Sequence, residues 1–117
     1  MHFAGYDGDN LVAYCRLTVE GDIGKISRVF VAKNYLKQGF GKQLINNLIE
    51  RCLELDIKKL ELNSRESSLK FYERLGFYRS GELIVSQESM LTLIPMVREV
   101  SRYVVVEKGI NTEKTMV

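Results

Sequence analysis

The chain has no tryptophan, one proline, one histidine and two cysteines among 117 residues. A lone histidine with no histidine–cysteine cluster gives no zinc ligand set, so no metal site is expected. Cys15 and Cys52 form no Cys-x-x-Cys pair. They read as buried thiols in a reducing cytoplasm. Nowhere do about 18 apolar residues run together, so no membrane-spanning helix is expected. The opening Met1-His2-Phe3-Ala4-Gly5-Tyr6-Asp7 lacks the basic-then-apolar order of a signal peptide. An excess of one charge is missing too. Seventeen basic residues against 15 acidic ones leave a net charge of +2 with the signs interspersed. That is too little for a nucleic-acid footprint.

What is present is a 45% apolar chain of single-domain length. Its centre is residues 26–48. Ile26 and Arg28 to Ala32, rich in β-branched and aromatic side chains, read as a strand. Gly39-Phe40-Gly41 is a tight turn. Leu44, Ile45, Leu48, Ile49, Cys52 and Leu53 then form one apolar stripe at helical spacing. A strand that runs through a glycine turn into a helix aims unpaired N–H groups and the positive helix end at one point. Such a turn suits an anion, phosphate or pyrophosphate above all; the alternative is a turn that merely starts a helix. A Walker A loop would need glycine at 36 and serine or threonine at 43, positions held by Leu36 and Gln43. A dinucleotide fingerprint would need a small residue at 44, which is Leu44.

Around this centre the pattern is mainly extended. Residues 2–6 and 11–19 form a hairpin across Asp7-Gly8-Asp9-Asn10, with Leu11, Ala13, Cys15, Leu17 and Val19 on one face. A second turn at Glu20-Gly21-Asp22 leads to the strand at 23–32. The helix runs from about Gly39 to Leu55 and ends at Asp56. Leu60 to Asn63 is the next strand, so strands 23–32 and 60–63 should be parallel neighbours in a βαβ unit. A short helix is expected over 66–75, capped by Ser67 or Ser68 and stopped by Gly76. Strands follow at Phe77 to Val85 and Met90 to Val100. Pro95 in the latter suggests an edge or a bulge. A further strand at 102–107 and a frayed end from 108 complete the chain.

Two stretches together resemble the GNAT superfamily of acetyl-CoA-dependent N-acetyltransferases. Val31-Ala32-Lys33-Asn34-Tyr35-Leu36-Lys37-Gln38-Gly39-Phe40-Gly41-Lys42 is similar to the family's acetyl-CoA loop. Asn63-Ser64-Arg65-Glu66, with Phe71-Tyr72-Glu73-Arg74-Leu75-Gly76-Phe77, is similar to its second signature. The resemblance covers residues 1–100 as one domain, with 101–117 as an extension. It implies an α/β (α+β) fold: a mixed, mostly antiparallel sheet with a central parallel strand pair and two helices. It implies acetyl-CoA as cosubstrate and an amine of a small molecule or peptide as acceptor. The amides of Lys37, Gln38, Gly39, Phe40, Gly41 and Lys42 would hold the coenzyme A pyrophosphate. The strand edge at Phe30 and Val31 would pair with the pantetheine arm, with Ser68 close by. A backbone N–H near Phe30 would bind the thioester oxygen. Tyr72 would protonate the leaving thiolate, a role suited to a phenol that stays neutral at physiological pH.

The chain also departs from the family. Leu36 stands where the loop usually opens with a polar side chain, and Ser68 and Arg65 replace commoner residues. The strand and two helices that usually precede the hairpin are not found ahead of Met1. Their loss would open an apolar sheet face, so a homodimer is expected. It also raises the alternative of an acyl-CoA-binding module without a complete acceptor site, and a third reading as an interaction fragment. Candidate bases are Glu20, Glu61, Glu66 and Glu82, and Arg28 is a candidate pocket residue with a buried stem and solvated head as the simpler reading.

Overall fold

Alternation along the second strand puts Ala13, Cys15 and Leu17 on one face, and all three are fully buried. In the computed structural model, residues 1–101 are described. The strand expected at 102–107 and the tail beyond it lie outside them. The elements in order are β1 (His2–Asp7), β2 (Asn10–Glu20), β3 (Ile23–Val31), α1 (Phe40–Glu54), β4 (Lys59–Arg65), α2 (Leu69–Arg74), β5 (Tyr78–Arg79), β6 (Ile84–Val85) and β7 (Thr92–Glu99). Short 3₁₀ turns at Lys33–Tyr35 and Glu66–Ser68 precede the two helices. Among the described residues no helix is long and apolar enough to cross a membrane.

The strands form a seven-stranded sheet in the order β1-β2-β3-β4-β7-β5, with β6 also on β7. Every pair is antiparallel except β3 with β4. The expected mixed sheet with a central parallel pair and two helices is the fold observed. Both helices cover one face. The α1 stripe Leu44, Ile45, Leu48, Ile49 and Cys52 packs with Ala13, Cys15, Leu17, Ile26, Leu60 and Leu62 in one cluster, joined by Tyr72 of α2. Burial of this kind contributes about 1.5–3 kcal/mol for each large aliphatic side chain.

Each helix ends on a left-handed residue. Past α1 this is Asp56 (φ 57°), with Ile57 N–H donating to the Cys52 carbonyl at 3.0 Å. Past α2 it is Gly76 (φ 92°), with Phe77 N–H donating to the Tyr72 carbonyl at 3.1 Å. These six-residue closures satisfy carbonyls that the helix itself leaves open.

Three expectations need correction. The strand at Phe77 to Val85 is broken into β5 and β6. Pro95 is the reason, and it marks neither an edge strand nor a bulge in its own strand. It sits in β7 opposite Asn63 of β4, and Ser80 N–H donates to its carbonyl at 2.9 Å. Its nitrogen faces the same outer side with no hydrogen to return, so the outer partner cannot pair continuously. The Ser68 side chain makes no capping bond, although Ser68 occupies the cap position of α2. Finally, the helix-free face is mixed over β2, β3 and β4: Tyr14, Arg16, Thr18, Lys25, Ser27, Lys59, Glu61 and Asn63 alternate with the helix-facing set, and the apolar Val12 and Phe30 lie among them, Phe30 exposed. Further exposed apolar residues gather at Leu83, Ile84, Val85, Met90 and Leu91, beside the outer edge.

Candidate functional site

The site begins where the parallel pair ends. β3 and β4 pair at Ile23–Lys59, Gly24–Leu60 and Lys25–Glu61, and no further. The physical reason is a bulge in β3. Tyr14 pairs with Phe30 and Arg16 with Ser27, so Arg28 and Val29 together oppose Cys15 alone. Arg28 takes φ 55°, a left-handed conformation that non-glycine residues rarely adopt. A bulge bends its strand and increases the twist. β3 therefore turns away with β2, while β4 stays on β7 as far as Arg65. A wedge opens between residues 26–31 of β3 and residues 62–65 of β4. Backbone N–H and C=O groups along its walls lack the sheet partners they would otherwise have.

The α1 N-terminus closes one end of the wedge. Lys37 (φ 61°) and Gly39 (φ 89°) are both left-handed and turn the chain into the helix. Gly39 is the cap residue, with no side-chain capping bond and no acidic residue in the first turn. The first helical bond runs from Gln43 N–H to the Gly39 carbonyl, 3.0 Å. That leaves the N–H groups of Phe40, Gly41 and Lys42 outside the helical ladder. Lys33, Lys37 and Lys42 are exposed around them. Open amides, a positive helix end and lysines fit a pyrophosphate in charge and in donor chemistry.

The two glycines of the turn serve different ends. A Cβ on Gly39 would meet nothing within 4 Å, so its requirement is conformational. Gly41 is buried, and a Cβ there would lie 3.2 Å from Phe71 Cζ and 3.3 Å from Val31 Cγ2. Its lack of a side chain lets α1 start against the end of β3 and against α2. Phe40 packs edge-on to Tyr35 (5.3 Å), whose hydroxyl donates to Asp7 at 2.9 Å and ties the loop to β1. Gln38 Nε2 donates to the Asn34 carbonyl at 2.8 Å, within the loop itself. Leu36 is 53% exposed.

Tyr72 lies on α2, 6% exposed, with Phe71 and Phe77 edge-on at 5.0 and 5.8 Å. Burial, with a smaller push from the Cys15 thiol, raises its hydroxyl to about 12. None of the described hydrogen bonds uses that hydroxyl. Cys15 is fully buried opposite the bulge, and burial raises its thiol to about 11; Cys52 behaves alike. Both thiols are free and protonated at physiological pH.

The wedge and the turn gather most of the expected residues. Phe30, half-exposed at 47%, and Val31 lie on the β3 wall. Gly39, Phe40, Gly41 and Lys42 open α1, which Gly41 holds against Phe71, the neighbour of Tyr72. Ser68 is half-buried at the start of α2. Lys37 and Gln38 lie in the loop, exposed. Of the four carboxylates, Glu20, Glu66 and Glu82 are exposed, while Glu61 is half-buried on the last rung before the wedge. Arg28 is exposed at the bulge. The bulge itself had no signal in composition. Ser64 lies within the second signature without a role assigned to it; it is 1% exposed on the β4 wall, and its hydroxyl donates to the Arg65 carbonyl at 2.7 Å. Among the described residues no group of three or more His, Cys, Asp or Glu could hold a metal.

A family model described as an acetyltransferase (GNAT) domain matches residues 1–100. A Bacillus subtilis protein described as a candidate acetyltransferase is 33% identical over 96 residues, 82% of this chain and 62% of its own length. A glucosamine 6-phosphate N-acetyltransferase of Trypanosoma brucei brucei is 44% identical over 55 residues, 47% of this chain and 37% of its own. The crystal structure of an aminoglycoside 6′-N-acetyltransferase with coenzyme A has a TM-score of 0.74, over 84% of this chain and 71% of that one. At 18% identity that is a likeness of fold. The chain thus spans less than two thirds of the Bacillus relative.

Proposed function

The chain belongs to the GNAT acetyltransferase family, and on that premise we propose that it transfers an acetyl group from acetyl-CoA to a primary amine of a small molecule or protein. The wedge between β3 and β4 carries this reading, because it joins an unpaired strand edge to an uncapped helix end. The amides of Lys37, Gln38, Gly39, Phe40, Gly41 and Lys42 would take the pyrophosphate. The free edge at Phe30 and Val31 would take the amide-bearing pantetheine arm as an added strand, alongside Ser68. Acetyl-CoA supplies the thioester, whose acetyl carbon accepts the amine nitrogen as the carbon–sulfur bond breaks. A backbone N–H at the β3 bulge donates to the developing oxyanion.

Tyr72 Oη holds its proton throughout the physiological range and donates a hydrogen bond to the departing sulfur. A phenol at about 12 facing a thiol near 8.5 makes full proton transfer roughly 5 kcal/mol uphill. Tyr72 therefore acts mainly through the hydrogen bond made as charge develops, and the proton lost by the amine finally neutralises the thiolate. Glucosamine 6-phosphate, the acceptor in the trypanosomal relative's name, supports an amine acceptor. The free buried thiols support a cytoplasmic location. Among the described residues no strand pairs with the outer edge of β1, which supports a homodimer; size-exclusion chromatography with light scattering checks it, and a monomer at micromolar concentration rejects it.

Calorimetric titration with acetyl-CoA, followed by thiol release against a panel of amines, tests the reading. Binding with turnover is expected. No binding at millimolar acetyl-CoA would reject it. Binding without turnover on any amine would leave an acyl-CoA-binding module. The observation favouring that second reading is that no described element covers the wedge on the helix-free side.

A further inference from the structure

Arg16 lies on β2 between Cys15 and Leu17, which face the helices, so its side chain stands on the helix-free face. In register it is opposite Ser27 of β3 and His2 of β1. Ser27 immediately precedes the bulge, which places Arg16 one strand from the mouth of the wedge. Among the described residues, Arg16 Nε is the only buried side-chain nitrogen or oxygen without a hydrogen-bond partner. The described ion pairs, Arg51 with Glu54 and Lys58 with Asp56, do not involve it. His2 Nδ1 is hydrogen-bonded to the Tyr14 hydroxyl at 2.5 Å, so these two flanking groups serve each other rather than Arg16. Glu61, the carboxylate on the same face, lies two strands from Arg16, on the last paired rung of β3 and β4 opposite Lys25.

Burying a guanidinium nitrogen without a partner is unfavourable, and each such group calls for an explanation. A guanidinium is always charged, and its planar fork matches carboxylate or phosphate oxygens two at a time. We propose that Arg16 is a specificity residue of the acceptor site. The amine that is acetylated carries a carboxylate or a phosphate, which Arg16 holds on the helix-free face while the amine nitrogen enters the wedge. This inference rests on the acetyl-transfer reading above.

Two matched pairs test it by thiol release: β-alanine against its amide, and phosphoethanolamine against ethanolamine. The wild type is expected to favour the anionic member of one pair by about tenfold or more in kcat/KM, the scale of one charge-assisted contact. Whichever pair shows the gap distinguishes carboxylate from phosphate. Arg16→Gln is expected to close the gap by raising KM for the anionic member, with kcat and acetyl-CoA affinity held within about twofold. Arg16→Lys is expected to keep part of it. Equal rates within both pairs, or an undiminished gap in Arg16→Gln, would overturn the proposal. Loss of acetyl-CoA binding by the wild type brings down the parent reading as well; intact binding without a gap brings down this one alone. If acetyl-CoA binds but no amine turns over, melting temperatures with coenzyme A and each compound decide the matter. A shift confined to an anionic member and lost in Arg16→Gln supports the assignment, and no selective shift rejects it.

Discussion

The two halves of β3 lie in one continuous strand and do opposite things. From Ile23 to Lys25 the strand is paired on both sides, with β2 and with β4. From Ile26 to Val31 it keeps β2 and leaves β4, because two residues, Arg28 and Val29, occupy the space of one. The first half anchors the sheet, while the second exposes backbone groups beside the open end of α1. A single inserted residue thus separates a structural stretch from a binding one within the same strand.

The contrast can be broken most forcefully at its anchor. Leu60, fully buried, stands beside Gly24 in the paired half. Leu60→Ala should lower unfolding stability by about 2–5 kcal/mol in a denaturant melt. Acetyl-CoA affinity of the folded fraction should be unchanged; an equal loss of affinity would mean that the halves are not separable.

Alkaline pH probes the buried groups behind the open half. Burial raises Cys15 and Cys52 from 9.0 to about 11 and Tyr72 from 10.0 to about 12. In each the folded state holds the proton more tightly than the unfolded chain does. Stability is therefore intact below about pH 9 and falls as pH rises from 9 towards 12. Each group contributes up to roughly 3 kcal/mol to that loss. Urea midpoints between pH 7 and 11 check it. Cys52→Ala should flatten the curve, and a flat wild-type curve would contradict burial of all three.

Tyr72→Phe should sharpen the division within the site. The lost hydroxyl has no described partner, so stability should change by less than about 0.5 kcal/mol. Turnover should fall by about tenfold to a hundredfold, the scale of one hydrogen bond to a developing charge, with acetyl-CoA affinity retained. An unchanged kcat would remove Tyr72 from the chemistry.

The smallest expected effect lies at the turn. Gly39→Ala forces a side chain into φ 89° with open space around it, costing about 1 kcal/mol of stability. Acetyl-CoA binding should weaken about fivefold as the open amides lose alignment. Gly41→Ala instead presses a methyl against Phe71 and Val31 at 3.2 and 3.3 Å, so its cost should appear mainly in stability. Calorimetry and melting temperature on the two variants separate conformational from packing need. Identical profiles would show that the glycines are interchangeable.

Much of this was legible in residues read in order. The apolar stripe from Leu44 to Cys52 specified α1, and alternation specified the inward face of β2. Asp56 and Gly76 marked both helix ends. The outer strand was misread because Pro95 acts across the sheet: it interrupts residues 80–83, which its own position in the chain does not touch. The mixed character of the helix-free face was not legible, because its residues sit one by one between buried ones on separate strands.

By itself the sequence determined what depends on local spacing: the helix stripe, the glycine turn, the parallel βαβ unit and the pair of signatures at 31–42 and 63–77. Tertiary structure decided what depends on two strands at once. The Arg28–Val29 bulge exists only relative to Cys15, and the wedge only relative to β4. Gly41 is a packing glycine only because Phe71 and Val31 meet there, and Arg16 stands between His2 and Ser27 only because the strand registers put it there. Periodicity constrains which way a side chain faces. Which groups it meets is set by register, and register is a property of the assembled sheet.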